Sequence, residues 1–531
     1  MRSAPPERIA ALAAGLVAAA FGLACMLFVR QPVLATFADD SVSYLVMAQV
    51  FSPWQAASPA VAAAFAREAL YPPLFPLLLA LAGAAHDLAW AHTLTALLLA
   101  AALPLAYLLG ARWLGSRGAA VAALACIALL PSLWINAKGI LSETLFCLLL
   151  VAAFLDLERG ADGAAASLRR PWLLGLLLAG LALTRTAALP MIAVLALWLA
   201  AQPATDWRGR LRAAAPALAA LAAYGLWVLL RPAHTGEDYG QILSDKGAQF
   251  LGGPGGLAGS LAASVARQAN AILEGWAGSL MIYWVEGRPA RFALASFAGA
   301  LALAGLALRL RRGRADAWMS AAYLATLLAW PFHEQMERFL FPLVPALVLY
   351  AFQAAGEGMA ALQRPGTVGH ALLAALLLSL SLPAMAFIYQ RAQIAGPHRA
   401  ITDWYRQPDL ARARVRAQTH LDLMGDLREV RRLTQPGDRV MWVAPSYVAL
   451  LAERRGVAAP DPVLGPEAYR EVVRKSGADY VFLSRYHPRD TLRDTAWRAG
   501  LAAFGDTAKP VYTGAHAGGT VVTSLLLKAP Q

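Results

Sequence analysis

Two adjacent carboxylates, Asp39 and Asp40, stand shortly after an apolar run from Ile9 to Val29. If a helix begins at Ser41, Tyr44 lies on the same face as Asp40, one turn later. A carboxylate here could take a proton from a weak nucleophile or could cap the helix. Because an acid at a membrane boundary is costly unless it is partnered or wet, its role depends on what else lies on that side.

Two more polar groups interrupt apolar sequence farther along the chain. One, in NAKGILSETLF, combines an amine, a hydroxyl and a carboxylate. The other, in HEQMERF, combines an imidazole, carboxylates and a guanidinium. Their members are Lys138, Ser142 and Glu143 in the first, and His333, Glu334, Glu337 and Arg338 in the second. If all three groups lie at one membrane surface, they predict a shared polar cavity.

Each polar group also has a purely structural interpretation. Asp40 could cap the helix that starts at Ser41, since aspartate is favoured at that position. Ser142 and Glu143 could begin the next helix in the same way, with the acid near its positive end. Arg338 could be a boundary residue whose charge reaches water past an apolar stem. Taken together, three such groups on one face favour function.

The elements that must position these groups are membrane helices. The chain has 531 residues, of which 59% are hydrophobic and only 15% are charged. A soluble protein of this length could not cover so much apolar side chain with polar surface. The apolar runs are continuous and do not alternate, which argues against a β-barrel. The predicted class is a polytopic α-helical membrane protein.

Short arginine clusters separate the apolar runs and orient the chain, because positive charge beside membrane helices marks the cytoplasmic side. This placement gives about eleven spans and puts all three polar groups outside. The predicted spans are 9–29, 88–110, 119–137, 138–159, 172–185, 186–201, 213–230, 292–308, 317–331, 339–355 and 369–389. The arginines between the apolar runs form short clusters without a basic stripe of interleaved aromatics, so at a net charge of +13 the expected partner is still the bilayer and not nucleic acid.

Two segments between the spans carry separate predictions. The proline-broken stretch 71–87 is too short to span comfortably and predicts a re-entrant or interfacial helix. The glycine-rich stretch after residue 230 predicts a loop of roughly sixty residues.

Composition changes after Tyr389, and residues 390–531 carry soluble-domain patterns. An amphipathic helix closes at Pro436–Gly437, RVMWVA predicts a strand, and PSYVALLAERRG predicts a helix that ends at Gly456. A second helix, glycine and strand follow, and TVVTSLLLK predicts a last strand. Strands that alternate with helices indicate a small α/β domain, which the odd span count places outside the membrane.

Four pieces of the chain, in order, resemble the successive signatures of the GT-C glycosyltransferase superfamily: ADDSVSYLVMAQ, YPPLFPLLLALAG, ILSETLFCLLLVAAF and ERFLFPLVPALVLY. The likeness covers roughly residues 1–390. It is closest to bacterial family-39-like members, which include lipopolysaccharide-sugar and aminoarabinose transferases and protein O-mannosyltransferases. Residues 1–389 would then be the catalytic domain, and 390–531 resemble the extracytoplasmic domains that many members append.

The resemblance implies a donor sugar on polyprenyl phosphate and an extracytoplasmic acceptor, which could be a lipid, glycan or protein. It implies no cofactor. Asp40 would be the general base, with Asp39 as the alternative. Glu143 falls at the family's second acidic position and would bind the acceptor or orient the base. His333 and Glu334 are two possible metal ligands without a third, so no metal site is predicted.

Cationic residues would stabilise the charge that the leaving phosphate gains. Arg338 fits best because its planar fork matches phosphate, and the lesser candidates are His333, Arg185 and Lys138. The expected lining of the substrate cavity comprises Tyr44, Tyr71 and Glu337.

The main alternative is a transporter or lipid flippase, which would also be polytopic and basic inside. Transporters usually place polar sites near the midplane, within repeated halves. This sequence shows no repeat, and its acids cluster at one face. An inactive scaffold is a third possibility. The expected location is the bacterial inner membrane, with many spans and an extracytoplasmic C-terminal domain.

Overall fold

A computed structural model describes the chain at residues 6–37, 40–160, 170–202, 206–232, 256–282, 289–330, 332–460, 465–486, 493–504, 509–516 and 521–529. Helices make up the first part of the fold, and a small mixed sheet with helices packed on it makes up the last part. The helices before the last part are α1 Pro6–Val29, α2 Ser41–Phe51, α3 Pro59–Glu68, α4 Leu74–Leu81, α5 Leu88–Trp113, α6 Arg117–Ala128, α7 Pro131–Ala137, α8 Glu143–Gly160, α9 Pro171–Thr184, α10 Ala188–Ala200, α11 Trp207–Leu230, α12 Gly256–Met281, α13 Pro289–Arg311, α14 Ala315–Leu328, α15 Met336–Leu340, α16 Val344–Ala361 and α17 Gly366–Ala395.

Within the described ranges, six helices are long and apolar enough to cross a membrane, and the bent pair of α6 and α7 would make a seventh. The six are Glu7–Val29, Leu88–Trp113, Trp207–Leu230, Pro289–Arg311, His333–Ala361 and Gly366–His398. The predicted span 119–137 is bent by 51°. The bend falls just before Pro131, which cannot donate the backbone hydrogen bond that a straight helix needs. A multi-pass membrane protein is therefore confirmed, but the count of eleven is not.

The first membrane helix turns an apolar face away from the protein. Leu12, Leu16, Leu23 and Leu27 of α1 are each more than half exposed, and their spacing puts them on one side of the helix. Such a face suits lipid, since tails are as apolar as leucine. Elsewhere helices approach closely. A Cβ on Gly305 of α13 would lie 2.0 Å from the carbonyl oxygen of Tyr350 in α16, so only glycine fits there.

The predicted loop after residue 230 is wrong for part of its length, because α12 occupies Gly256–Met281. Its packing is specific. A Cβ on Gly275 would lie 2.9 Å from the backbone nitrogen of Glu337, and Trp276 donates through Nε1 to the carbonyl of Ala295 over 2.8 Å. Glycine and polar residues dilute the apolar period of this helix, so tertiary packing overrides its local propensity.

A buried ion cluster joins helices at the far end of α8, away from Glu143. Arg309 donates through Nε and Nη2 to the two oxygens of Asp316, over 2.8 and 2.7 Å, and Nη2 also reaches Glu158 at 2.7 Å. The guanidinium lies 4.1 Å from the ring centre of Trp113, which stacks on Tyr350. This pairing compensates the burial of three charges at once.

The C-terminal domain has a helix α18 at Leu410–Leu433 and a five-stranded sheet of order β2-β1-β3-β5-β4. The first three strands in that order are parallel, and β5 runs antiparallel to both β3 and β4. The strands are β1 Arg439–Trp442, β2 Arg455–Ala458, β3 Tyr480–Ser484, β4 Pro510–His516 and β5 Val521–Lys528. Two helices lie between strands in the sequence, at Pro466–Ser476 and Arg493–Phe504. The predicted α/β character is confirmed.

One predicted helix in this domain is shorter than expected. The turn that starts at Pro445 ends at Ala452, not at Gly456, because Glu453 adopts a left-handed conformation with φ of 52°. Gly456 instead belongs to β2, where a Cβ would lie 2.0 Å from the carbonyl oxygen of Pro445.

The C-terminal domain also contacts the segment after α1, at Phe37. The Phe37 ring packs against the rings of His420, Tyr447 and Tyr486, with centroids 4.6, 5.0 and 5.4 Å away. The hydroxyl of Tyr486 donates to the carbonyl of Phe37. The loop before Asp40 is therefore anchored to the domain and not only to its own helix.

Candidate active site

The guanidinium of Arg338 bridges two carboxylates. Its Nη2 donates to Oδ2 of Asp40 and its Nε donates to Oε1 of Glu143, while Nη1 makes a longer contact of 3.4 Å with Gln335. The Glu143 side chain is 0% exposed and the Asp40 side chain 28% exposed. One member of each of the three polar groups that the sequence predicted therefore meets the others at Arg338.

Asp40 occupies the N-cap position of α2, but its side chain makes no capping hydrogen bond. Its Oδ1 accepts a hydrogen bond from the Tyr71 hydroxyl at 3.0 Å, and its Oδ2 is bound to Arg338. Burial acts to raise the pKa of Asp40, but the charge and hydrogen bond of Arg338, with Arg185 and Tyr71, outweigh it and hold that pKa below its usual value. The interpretation of Asp40 as a simple helix cap is not supported.

Glu143 receives a second cation. Arg185, at the break between α9 and α10, places Nη1 2.7 Å from Oε1 of Glu143 and donates to Oγ of Ser142 over 3.2 Å. Ser142 also shares a 2.7 Å hydrogen bond with the Tyr44 hydroxyl. Glu143 thus holds Arg185 and Arg338 on one carboxylate, and Tyr44 is linked to the same group through Ser142.

Arg338 is positioned by a short helix and its neighbours. It lies in α15, directly after a 3-10 turn at His333–Gln335. The following residue, Phe339, places its ring centre 5.7 Å from the Arg185 guanidinium carbon and 5.8 Å from that of Arg338. With α12 packed against the backbone at Glu337, this short helix has little room to move.

An aromatic cavity of about 200 Å³ opens beside Asp40. Its walls combine the polar groups of the site with apolar side chains from α14 and the segment that follows it. The lining includes Asp40, Tyr44, Tyr71, Arg185, Tyr323, Leu327, Trp330, Phe332 and Phe339. The Nε of Arg185 is buried and has no hydrogen-bond partner among the described residues. A guanidinium with a spare donor at an aromatic wall is suited to an anionic group that carries an apolar chain.

A second, more polar cavity of about 330 Å³ lies on the other side of Gln335, which lines both. Lys138 and Glu337 line it together with Arg338, so the structure does not place Lys138 in the cavity that contains Asp40. His333 is half-exposed, lies 3.5 Å from Glu334 and lines neither cavity.

Some members of the site were not identified from the sequence. Gln335, Tyr405 and Arg406 line the polar cavity, and Phe37 anchors the loop before Asp40. The polar residues between Trp330 and Arg338 were a visible signal for Gln335, but nothing local pointed to residues 405 and 406. Asp39 lies outside the described residues. In the described part of the chain, no group of three or more histidine, cysteine or acidic side chains is arranged to hold a metal ion.

The fold is that of the GT-C membrane glycosyltransferases, as the resemblance predicted. ArnT from Cupriavidus metallidurans, solved with undecaprenyl phosphate, superposes with a TM-score of 0.54 at 13% identity, over 97% of this chain and 99% of ArnT. The archaeal oligosaccharyltransferase AglB from Archaeoglobus fulgidus, solved with an inhibitory peptide and a dolichol-phosphate, superposes with a TM-score of 0.53 at 13% identity, over 98% of this chain and 74% of AglB. No protein-family model and no curated protein matches the sequence.

Proposed function

We propose that this chain transfers a sugar from a polyprenyl-phosphate donor to an extracytoplasmic acceptor at a bacterial inner membrane. The observation that carries the proposal is that Asp40 and Arg185 line an aromatic cavity, while Arg338 binds Asp40 from the adjoining polar cavity. One carboxylate can serve as a base there, and two guanidinium groups can serve a phosphate. That ArnT was solved with undecaprenyl phosphate and AglB with dolichol-phosphate supports the choice of a lipid phosphate.

The donor's phosphate would bind between the two arginines. Arg185 has a buried Nε without a partner among the described residues, and the 3.4 Å contact of Arg338 with Gln335 is weak enough to be exchanged for a phosphate oxygen. The aromatic residues Trp330, Phe332 and Phe339 would cover the first part of the lipid chain. His333 is the weakest candidate for the phosphate, because it is half-exposed and pairs with Glu334.

The transfer step balances without a cofactor. Asp40 takes the proton from the acceptor hydroxyl or amine as the acceptor atom forms its bond to the anomeric carbon. The bond between that carbon and the phosphate oxygen breaks, and its electron pair leaves with the polyprenyl phosphate. Arg338 and Arg185 stabilise the charge that this oxygen gains, and Glu143 keeps both cations in place.

Donor binding would also adjust the base. Without a donor, Arg338 lowers the pKa of Asp40, which makes the carboxylate a weak proton acceptor. A phosphate that takes a share of the Arg338 guanidinium weakens this pairing, and the pKa of Asp40 then rises towards a value better suited to a base. The free enzyme would thus hold its base in a less reactive state.

The proposal is tested with full-length protein in detergent and undecaprenyl phosphate carrying a radiolabelled sugar. Extracted envelope lipids, glycans and proteins serve as a mixed acceptor pool. We expect label to move to an acceptor while undecaprenyl phosphate is released in equal amount, both measured by chromatography and mass spectrometry. Movement of the intact labelled lipid across liposomes, with no transfer to any acceptor, would instead identify a flippase.

Orientation is tested by itself, because the extracytoplasmic placement of residues 390–531 rests on the arginine clusters. A reporter that works only in the cytoplasm is fused after residue 531. It should be silent in cells that insert the protein, and a strong signal would reverse the topology.

A further inference from the structure

The polar cavity beside Arg338 contains a buried lysine, Lys138. Lys138 is 0% exposed, and its Nζ has no hydrogen-bond partner among the described residues. The centre of the Tyr405 ring lies 4.0 Å from Nζ. A cation over an aromatic face gains less free energy than the removal of an ammonium group from water costs. The side chain is therefore held in a state that a bound anion would improve.

The charges around Lys138 act in both directions. Burial, with a smaller contribution from the charge of Arg406, lowers the pKa of Lys138 to about 7, although Asp403 and Glu337 act to raise it. An anion that enters the cavity would favour the ammonium form and relieve part of the cost of burial. Arg406 is exposed and lines the same cavity, so it can bring a second positive charge to such a ligand.

The residues that line this cavity differ in type from those that line the aromatic cavity. They come from the loop before Asp40 at Thr36, from the last turn of α7 and the residue after it at Asn136 and Lys138, and from the segment after the last membrane helix at Thr402–Arg406. The described lining has no tryptophan or phenylalanine, whereas the aromatic cavity has Trp330, Phe332 and Phe339. A lipid tail suits the second set of walls, and a water-soluble ligand suits the first.

The cavity is also not uniformly positive. Glu334 and Glu337 line it beside the cations, and Asn136 and Thr402 add neutral polar groups. Carboxylates accept hydrogen bonds from hydroxyl groups, so this mixture fits a polyhydroxylated ligand that carries one acidic group better than a bare dianion. Because Arg338 lines the cavity and binds Asp40, a ligand here would lie next to the base.

We propose that the polar cavity binds an anionic group, a phosphate or a carboxylate, of the acceptor, with Lys138 and Arg406 as its cationic ligands. The identification of the ligand as the acceptor rests on the proposed function, whereas the anion site itself does not. The chain would then glycosylate an acidic acceptor, and Lys138 would serve the acceptor and not the donor phosphate.

The test uses inorganic phosphate, acetate and undecaprenyl phosphate as probes of the full-length protein in detergent. Thermal unfolding is followed during phosphate and acetate titrations, and native mass spectrometry follows undecaprenyl phosphate. We expect saturable stabilisation of the wild type by phosphate or acetate, weakened at least about tenfold by Lys138→Met and less by Arg406→Ala. Undecaprenyl phosphate should bind Lys138→Met as it binds the wild type.

Methionine removes a desolvated charge and keeps most of the volume, so Lys138→Met should fold with an unliganded melting temperature no lower than that of the wild type. Arg414→Ala, at an exposed arginine of α18, is the matched control for Arg406→Ala. If Lys138→Met binds phosphate and acetate as tightly as the wild type does, the anion site is overturned. Loss of undecaprenyl phosphate binding in Lys138→Met would overturn the acceptor assignment alone, and no binding of this lipid to the wild type would count against the proposed function alone.

Discussion

Arg338 and Asp40 are joined by a hydrogen bond from Nη2 to Oδ2, although 298 positions of sequence separate them. The same guanidinium donates a hydrogen bond to Glu143, and Glu143 forms an ion pair with Arg185. The charges at this end of the protein are therefore coupled, and a change in one of them should alter the others in a defined direction.

Asp40→Asn should reduce sugar transfer by roughly 100-fold or more, because an amide cannot accept the acceptor's proton. Stability should change little, since the Asp40 side chain makes no capping hydrogen bond and Glu143 still pairs with Arg338. Asp87→Asn is the matched control, because Asp87 does cap its helix through Oδ1 and asparagine caps equally well. Turnover is measured at equal amounts of inserted protein. Near-normal turnover in Asp40→Asn would remove Asp40 as the base, and Asp39→Asn made in parallel tests the other acid.

The pH dependence of the two kinetic parameters should differ. The ratio kcat/KM for the donor reports the free enzyme, in which Arg338 holds the pKa of Asp40 below its usual value of about 4. Its acid limb should therefore lie below that pH, since a depressed pKa keeps the carboxylate ionised until the pH falls through it. The acid limb of kcat should lie at higher pH, because the donor phosphate takes a share of Arg338. Coincident limbs would show that donor binding does not adjust the base.

Arg338→Lys should weaken donor use roughly ten- to a hundredfold while the protein still folds. Lysine keeps the charge, but it cannot contact Asp40, Glu143 and a phosphate through a planar fork. Turnover is measured at limiting donor, with Arg312→Lys at an exposed pair as the control. Unchanged turnover in Arg338→Lys would exclude a bidentate phosphate contact.

Phe37→Ala should lower kcat more than it raises the KM for the donor, because Phe37 positions the loop before Asp40 and lines neither cavity. Tyr486→Phe removes only the hydroxyl that binds the Phe37 carbonyl and should give a smaller loss of the same kind. Tyr389→Phe, at an exposed tyrosine, is the control. Recovery of kcat in Phe37→Tyr would support positioning, whereas equal losses in kcat and in the amount of folded protein would indicate a structural role only.

Asp316→Ala should destabilise the protein by about 3–5 kcal/mol, because it leaves the buried guanidinium of Arg309 with too few acceptors. Arg312→Ala, which breaks the exposed pair with Glu357, should cost at most about 1 kcal/mol. Unfolding in detergent at matched conditions measures both variants. Similar small shifts would mean that the Arg309 cluster contributes little. Transfer per folded molecule should be unchanged in both, since the cluster lies away from Asp40.

Much of this architecture follows from local sequence. Apolar runs near Leu88–Gly110 and Gly369–Tyr389 show their helices without any knowledge of the fold, because bilayer thickness sets the length that a span needs. The alternation of helix and strand after residue 433 likewise predicts the sheet from local sequence. The helix α12 was missed because its buried face is defined by contacts with Glu337 and Ala295, which local periodicity does not contain.

The sequence by itself determined the membrane class and the candidates Asp40, Glu143 and Arg338, because a charge inside apolar sequence is conspicuous and costly wherever it folds. Only the tertiary structure decided their partners. It put Arg338 between the carboxylates of Asp40 and Glu143, and it put Lys138 in a second cavity, away from those carboxylates. It also brought Arg406 to that cavity and Phe37 to the anchor of the loop, from elements with no local signal. The physical reason is distance: ion pairs and cavities depend on helix packing to within an ångström or so, and spacing along the chain does not encode how helices remote in sequence approach one another.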